Sequence, residues 1–197
     1  SANTAAGFSI VTYTGTGNGN VTSDTVGHGL SSTPDIVIVK SRTASDNWQV
    51  EANIGGTFKS GSLNGDGTFS VSSVADPTST TFNPYYSNLA QNYVAYCFHS
   101  VAGYSKISTY SGTGSDGNQI TSLGFKPSFI LIKRTDVADN WNIVDNRRGN
   151  FALFPDLNSH ELTNSGAVVF DTDGFTINGS AGGYNNGSGT YLYMAIK

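Results

Sequence analysis

The chain has 197 residues, of which 12% are charged, and carries a net charge of −4 with 24 glycines. Charged residues make up about a quarter of an ordinary globular protein, so this surface is expected to stay soluble through hydroxyls and amides, as extracellular and virion fibre modules do. Ten scattered Lys and Arg under a net negative charge leave no footprint for a phosphate backbone, which excludes nucleic acid, and no apolar run reaches the length that inserts into a membrane.

Ser1 to Ala6 is polar and reads as a linker or cloning remnant. Phe8 to Tyr13 alternates in the manner of a strand, closed by Gly15-Thr16-Gly17 and an Asn18-Gly19 turn. Pro34 opens Asp35 to Lys40, a β-branched run that predicts a strand buried on both faces, with the Lys40 ammonium lifted to the sheet edge. Trp48 begins another short strand after a polar loop. Tyr86 to Gln91 predicts one helical turn, and Tyr93 to His99 is a closing strand in which Cys97, the lone cysteine, reads as a core residue.

From Gly103 the order repeats. Tyr104 to Tyr110 is the second opening strand, followed by Gly112-Thr113-Gly114 and Asp116-Gly117. Pro127 leads into Phe129 to Lys133, whose ammonium is likewise expected at the sheet edge, Trp141 follows, and Tyr191 to Lys197 closes the chain. Pro34 to Pro127 (127 − 34) and Trp48 to Trp141 (141 − 48) both span 93 residues, so register holds through strand, loop and strand. Two repeats of roughly 95 residues follow, 7–102 and 103–197. Ser100 to Ala102 is too short for a flexible linker and predicts a hairpin-like link between neighbouring strands. The expected fold is all-β, the two repeats together forming one domain, a pseudo-twofold β-sandwich of jelly-roll or lectin-like kind.

Catalytic patterns are weak. His28, His99 and His160 share no metal-ligand spacing, and no Gly-x-Ser-x-Gly elbow is present, so no enzymatic activity and no catalytic residue are expected. Asp171-Thr172-Asp173-Gly174 resembles the start of a calcium loop but lacks its later Glu, which makes Asp171 and Asp173 weak Ca²⁺ candidates and tight turns the simpler explanation. Trp48 and Trp141 present indole faces on which a sugar can stack, or else anchor their loops to the sheet. Tyr85, Tyr86 and Asn88 in the first repeat, and Tyr184, Asn185 and Asn186 in the second, lie in Gly/Asn/Ser-rich loops of the composition that adaptable binding surfaces favour. Asn20, Asn178 and Asn186 sit in glycosylation-type tripeptides, as chance predicts in so Asn/Ser-rich a chain.

Val26 to Leu30, Pro34 to Arg42, Tyr93 to Phe98, Gly103 to Lys106, Leu123 to Pro127 and Leu131 to Asp136 together resemble a duplicated module of structural proteins of tailed bacteriophages, especially marine ones. The resemblance covers nearly the whole chain from Gly7 and brings no catalytic residues with it. It implies a virion location outside the cell, with other virion proteins as partners and a homo-oligomer, a trimer by analogy with fibres. The function expected is non-catalytic attachment of a tail fibre to a host cell-surface glycan or protein receptor. The alternatives are a capsid-decoration or fibre-assembly module and a polysaccharide-degrading enzyme. Ligand contact is expected from Tyr85 to Asn92 and Gly179 to Gly189, where the repeats differ in length.

Overall fold

The computed structural model describes residues 1–18, 24–72, 74–84, 88–149, 151–163 and 167–197. The chain is all-β and divides into two compact units, Ser1–Leu63 with Ser70–Ser100, and Asn64–Phe69 with Val101–Lys197.

The first unit contains β1 (Ala2–Asn3), β2 (Phe8–Thr14), β3 (Val26–Gly27), β4 (Ile36–Ser41), β5 (Gln49–Ile54), β6 (Thr57–Ser62), β7 (Ser70–Val71), β8 (Thr81–Phe82) and β9 (Asn92–Phe98). Its large antiparallel sheet runs β1-β2-β9-β4-β5-β6-β7, and β3 pairs with β8 in a small second sheet. Val37 and Val39 of β4 and Tyr93, Ala95 and Cys97 of β9 form a core with Phe82 of β8. Side chains alternate along a strand, so Ile36 and Ile38 point the other way; they too are buried, as the unbroken β-branched run requires. Burial pushes the Cys97 thiol up to about 12, which makes it a packing residue rather than a nucleophile. β5 turns into β6 through Gly55 and Gly56, both at positive φ, the backbone that a two-residue hairpin loop demands.

The second unit contains β10 (Ser105–Ser111), β11 (Asn118–Ile120), β12 (Phe129–Arg134), β13 (Trp141–Asp145), β14 (Phe151–Leu153), β15 (Leu162–Thr163), β16 (Val168–Asp171), β17 (Gly174–Ile177), a helical turn α1 (Gly182–Asn185) and β18 (Thr190–Ile196). One sheet runs β10-β18-β12-β13-β14-β15 and the other β11-β17-β16. Ile130, Ile132, Tyr191, Tyr193 and Ala195 of the first sheet share a core with Phe175 and Ile177 of the second. The strand order of β2, β9, β4, β5 and β6 is that of β10, β18, β12, β13 and β14. Register matches as well: Ile36 lies opposite Phe98 and Ala52, as Phe129 lies opposite Ile196 and Asp145.

Three local expectations are corrected. The link through Ser100 to Ala102 does not join paired strands, because β9 already has β2 and β4 on its two edges and β10 pairs with β18. Within Tyr86 to Gln91 no helix forms among the described residues, whereas the second repeat places α1 in the corresponding loop. Lys133 is not lifted to a sheet edge but is 0% exposed. Its Nζ donates to the carbonyls of Asp66 (2.9 Å), Arg134 (2.7 Å) and Asp139 (2.7 Å). The first of these acceptors comes from Asn64–Phe69, the segment between β6 and β7 that belongs to the second unit. That segment is also held by Asp139 N–H donating to Asp66 O and Phe69 N–H donating to Thr135 O.

Candidate functional site

Each unit carries a matching loop latch. After β10 the chain passes through Gly112-Thr113-Gly114, and the fully buried Asn185 at the end of α1 reaches across to it. Asn185 Oδ1 accepts from Thr113 N–H (2.8 Å) and Asn118 Nδ2 (2.8 Å), while its Nδ2 donates to Ser115 O (2.7 Å) and Gly179 O (2.8 Å). The approach is so close that a Cβ on Gly112 would lie 2.0 Å from the carbonyl oxygen of Asn186. In the first unit Asn88, 2% exposed, does the same for Gly15-Thr16-Gly17. It accepts from Thr16 N–H (3.0 Å) and donates to Thr16 Oγ1 (3.0 Å) and Asp24 Oδ2 (2.7 Å). A Cβ on Gly15 would lie 2.0 Å from Leu89 O. Buried amides must find partners inside the protein, and both Asn side chains are committed to the loops they reach across to.

In the second unit this latch supports an open groove of about 540 Å³. Two further bonds close its floor: Gly179 N–H donates to Asp116 Oδ1 (2.5 Å) and Gly117 N–H to Asn178 Oδ1 (3.1 Å). Asp116, Asn178, Ser180, Thr163 and Tyr184 line it. Carboxylate, amide and hydroxyl groups together offer both donors and acceptors to a hydroxyl-rich ligand. Tyr184 is 7% exposed; its hydroxyl is buried without a hydrogen-bond partner among the described residues, and desolvation raises its pKa.

The other expected site residues fall as follows. Tyr85 and Tyr86 lie outside the described residues. Asn186 is exposed beside the groove loop, its N–H donating to Tyr191 Oη (2.8 Å). Trp141 is 1% exposed and packs edge-on against Phe69 at 6.0 Å, a core tryptophan. Trp48 is half-buried and stacks on Tyr96 at 6.2 Å, so the two repeat-related indoles differ in exposure. Asp173 accepts from Gly124 N–H (2.6 Å) and Ser122 N–H (3.2 Å), and Asp171 from Thr176 Oγ1 (2.6 Å). Both carboxylates therefore shape turns, and no group of three His, Cys, Asp or Glu suited to a metal ion occurs among the described residues.

Sequence reasoning passed over two features. Asp116 and Asn178 stand beside the expected contact loop from Gly179, which holds Ser180, only because two separate loops converge, and the polar tripeptide at Asn178 was their local signal. Glu51 stands in the middle of β5, 9% exposed, opposite Val37; Val144 takes the same place opposite Ile130 in the second unit. Burial pushes the Glu51 carboxyl up to about 7, against the opposing help of the Ser72 hydroxyl at 3.1 Å. A cavity of about 20 Å³ beside it, lined also by Gln49 and Asn83, has room for one water.

No curated protein and no solved structure matches the chain. A family model matches residues 1–197 in full, and the chain belongs to that family, described as Domain of unknown function (DUF7483).

Proposed function

We propose that this chain is a non-catalytic surface module of a phage virion, the part of a tail fibre that attaches to the host through a cell-surface glycan. The observation that carries the reading is the polar groove of the second unit, held open on loops that Asn185, Asp116 and Asn178 lock together. A floor already ordered by internal bonds loses little conformational entropy when a flexible ligand arrives. Asp116, Ser180 and Thr163 then exchange water for sugar hydroxyls with little rearrangement. The shared strand order of the repeats supports the further reading that the chain is built from two copies of one lectin-like β module.

An array of bacterial surface polysaccharides, probed with the wild-type chain and with Ser180→Trp, tests the reading. Ser180 is exposed at the groove, so the indole fills the ligand space without disturbing the core. Wild-type binding that drops about tenfold or more in the variant is expected. A wild-type chain that captures no glycan, or a variant that binds equally well, overturns it.

A further inference from the structure

A second groove in the same unit has a different chemistry. It encloses about 480 Å³ between the turn that follows β13 and the strand β16. Lys126 and Arg147 supply its charge, Asn146 an amide, and the exposed Val169 of β16 an apolar side. Lys126 and Arg147 are exposed, and among the described residues neither side chain has a carboxylate partner. The nearest acid in sequence to Arg147 is already engaged: Asp145 pairs with the Arg148 guanidinium (Nε to Oδ2, 2.6 Å) and accepts the backbone N–H groups of Arg147 (2.9 Å) and Arg148 (2.8 Å). Asn146 is fixed by donating from Nδ2 to Ser128 Oγ at 3.2 Å and from its N–H to Ser128 O at 3.0 Å. β16 is an edge strand, paired only with β17 among the described residues, and Val169 is 43% exposed on it.

Lys126 and Arg147 thus bring two cations to one groove in a chain whose net charge is −4. Facing the exposed Val169, they match a ligand with one anionic edge and one apolar face. A uronic-acid type sugar has that form: the ring carboxylate lies at one edge and the axial C–H groups form a weakly polar face. We propose that this groove is a subsite for a carboxylate-bearing saccharide. Lys126 and Arg147 hold the carboxylate, Asn146 bonds a neighbouring hydroxyl, and the exposed Val169 packs against the ring. The proposal rests on the glycan-binding reading above and assigns it an acidic class of receptor.

The test prints each bacterial surface polysaccharide twice, native and after its carboxyl groups have been reduced to alcohols, which leaves linkage and ring intact. The wild-type chain is compared with Lys126→Gln/Arg147→Gln, both positions being exposed, and with Ser180→Trp; unchanged thermal unfolding confirms that each variant is folded. Binding to native acidic polysaccharides is expected to fall about tenfold or more on carboxyl reduction, and by a similar factor in the double variant. It is also expected to weaken as salt rises to about 0.5 M. Binding that is indifferent to carboxyl reduction, or unchanged in the double variant, overturns this subsite while leaving the glycan reading intact. Capture of no polysaccharide at all overturns both.

Discussion

Lys40 and Lys133 end equivalent strands, and their surroundings diverge for a reason that lies outside either strand. In the first unit Lys40 Nζ donates to Ala44 O (3.3 Å) and Asp46 O (2.6 Å) and stays partly exposed. In the second unit Asp66 O completes a cage of three carbonyls, and Lys133 is closed off from solvent. The tryptophans diverge in parallel: Trp141 lies against Phe69 of the same Asn64–Phe69 segment, whereas Trp48 remains half-buried. The loop latches keep their central bond, since Asn88 and Asn185 each accept the Thr N–H of a Gly-Thr-Gly loop, while the groups to which their amides donate differ. Duplicated backbone geometry has thus been kept, and the differences concentrate where a segment or a single side chain altered the packing around it.

The most severe way to break this equivalence is to fill the latches. Gly15→Ala and Gly112→Ala each place a Cβ 2.0 Å from a carbonyl oxygen, which forces the loop to move. Each is expected to cost about 3 kcal/mol or more, read as a fall in the urea midpoint or as failure to fold. Gly67→Ala, with nothing within 4 Å of its added Cβ, is the control and should stay near wild type. Loss of folding in one of the two latch variants but not the other would show that the latches are not equivalent.

A single buried acid separates the two cores and allows a finer comparison. Glu51 is raised from 4.5 to about 7, so the folded state holds its proton more tightly than the unfolded chain. Its contribution to stability is therefore full below about pH 4.5 and is lost as pH rises toward 7, a change on the order of 3 kcal/mol. Glu51→Gln should match wild type at pH 4 and exceed it at pH 8 by about 2–3 kcal/mol in urea unfolding. Wild-type and variant stabilities that run parallel across that range would place the titration elsewhere.

Local pattern made the strands legible and left the polar architecture hidden. Pro34 and Pro127, the β-branched runs after them and the alternation of Tyr93, Ala95 and Cys97 each state burial within a few residues, whereas strand order came from the structure. The closing strands begin one residue earlier than predicted, at Asn92 and Thr190. Asn88 and Asn185 look like loop residues because their partners lie 72 positions away in sequence. A polar side chain is buried by what folds over it, which local composition does not record. Lys133 was misplaced for the same reason, since its third acceptor comes from 67 positions earlier. The groove was legible only as a loop of suitable composition, because Asp116 and Gly179 meet across 63 residues.

The lysines provide the smallest of these effects and the most direct measure of what the Asn64–Phe69 segment adds. Burial lowers the Lys133 pKa, an effect that the nearby Asp139 charge partly opposes. Lys133→Met keeps the length of the side chain and removes that desolvation cost, but it takes the ammonium from the carbonyls of Arg134 and Asp139 and leaves Asp66 O with the Asp139 N–H as its remaining donor. Each unpaired buried acceptor costs about 1–3 kcal/mol, and relief of the buried charge offsets part of the total. The net loss is expected to be about 2 kcal/mol. Lys40→Met exposes its two carbonyls to solvent that can replace the ammonium, so its cost should stay below about 1 kcal/mol. Urea unfolding of the two variants measures the difference directly. Equal losses would mean that Asp66 adds nothing to the cage, and that the unlike exposure of the two lysines has no energetic consequence.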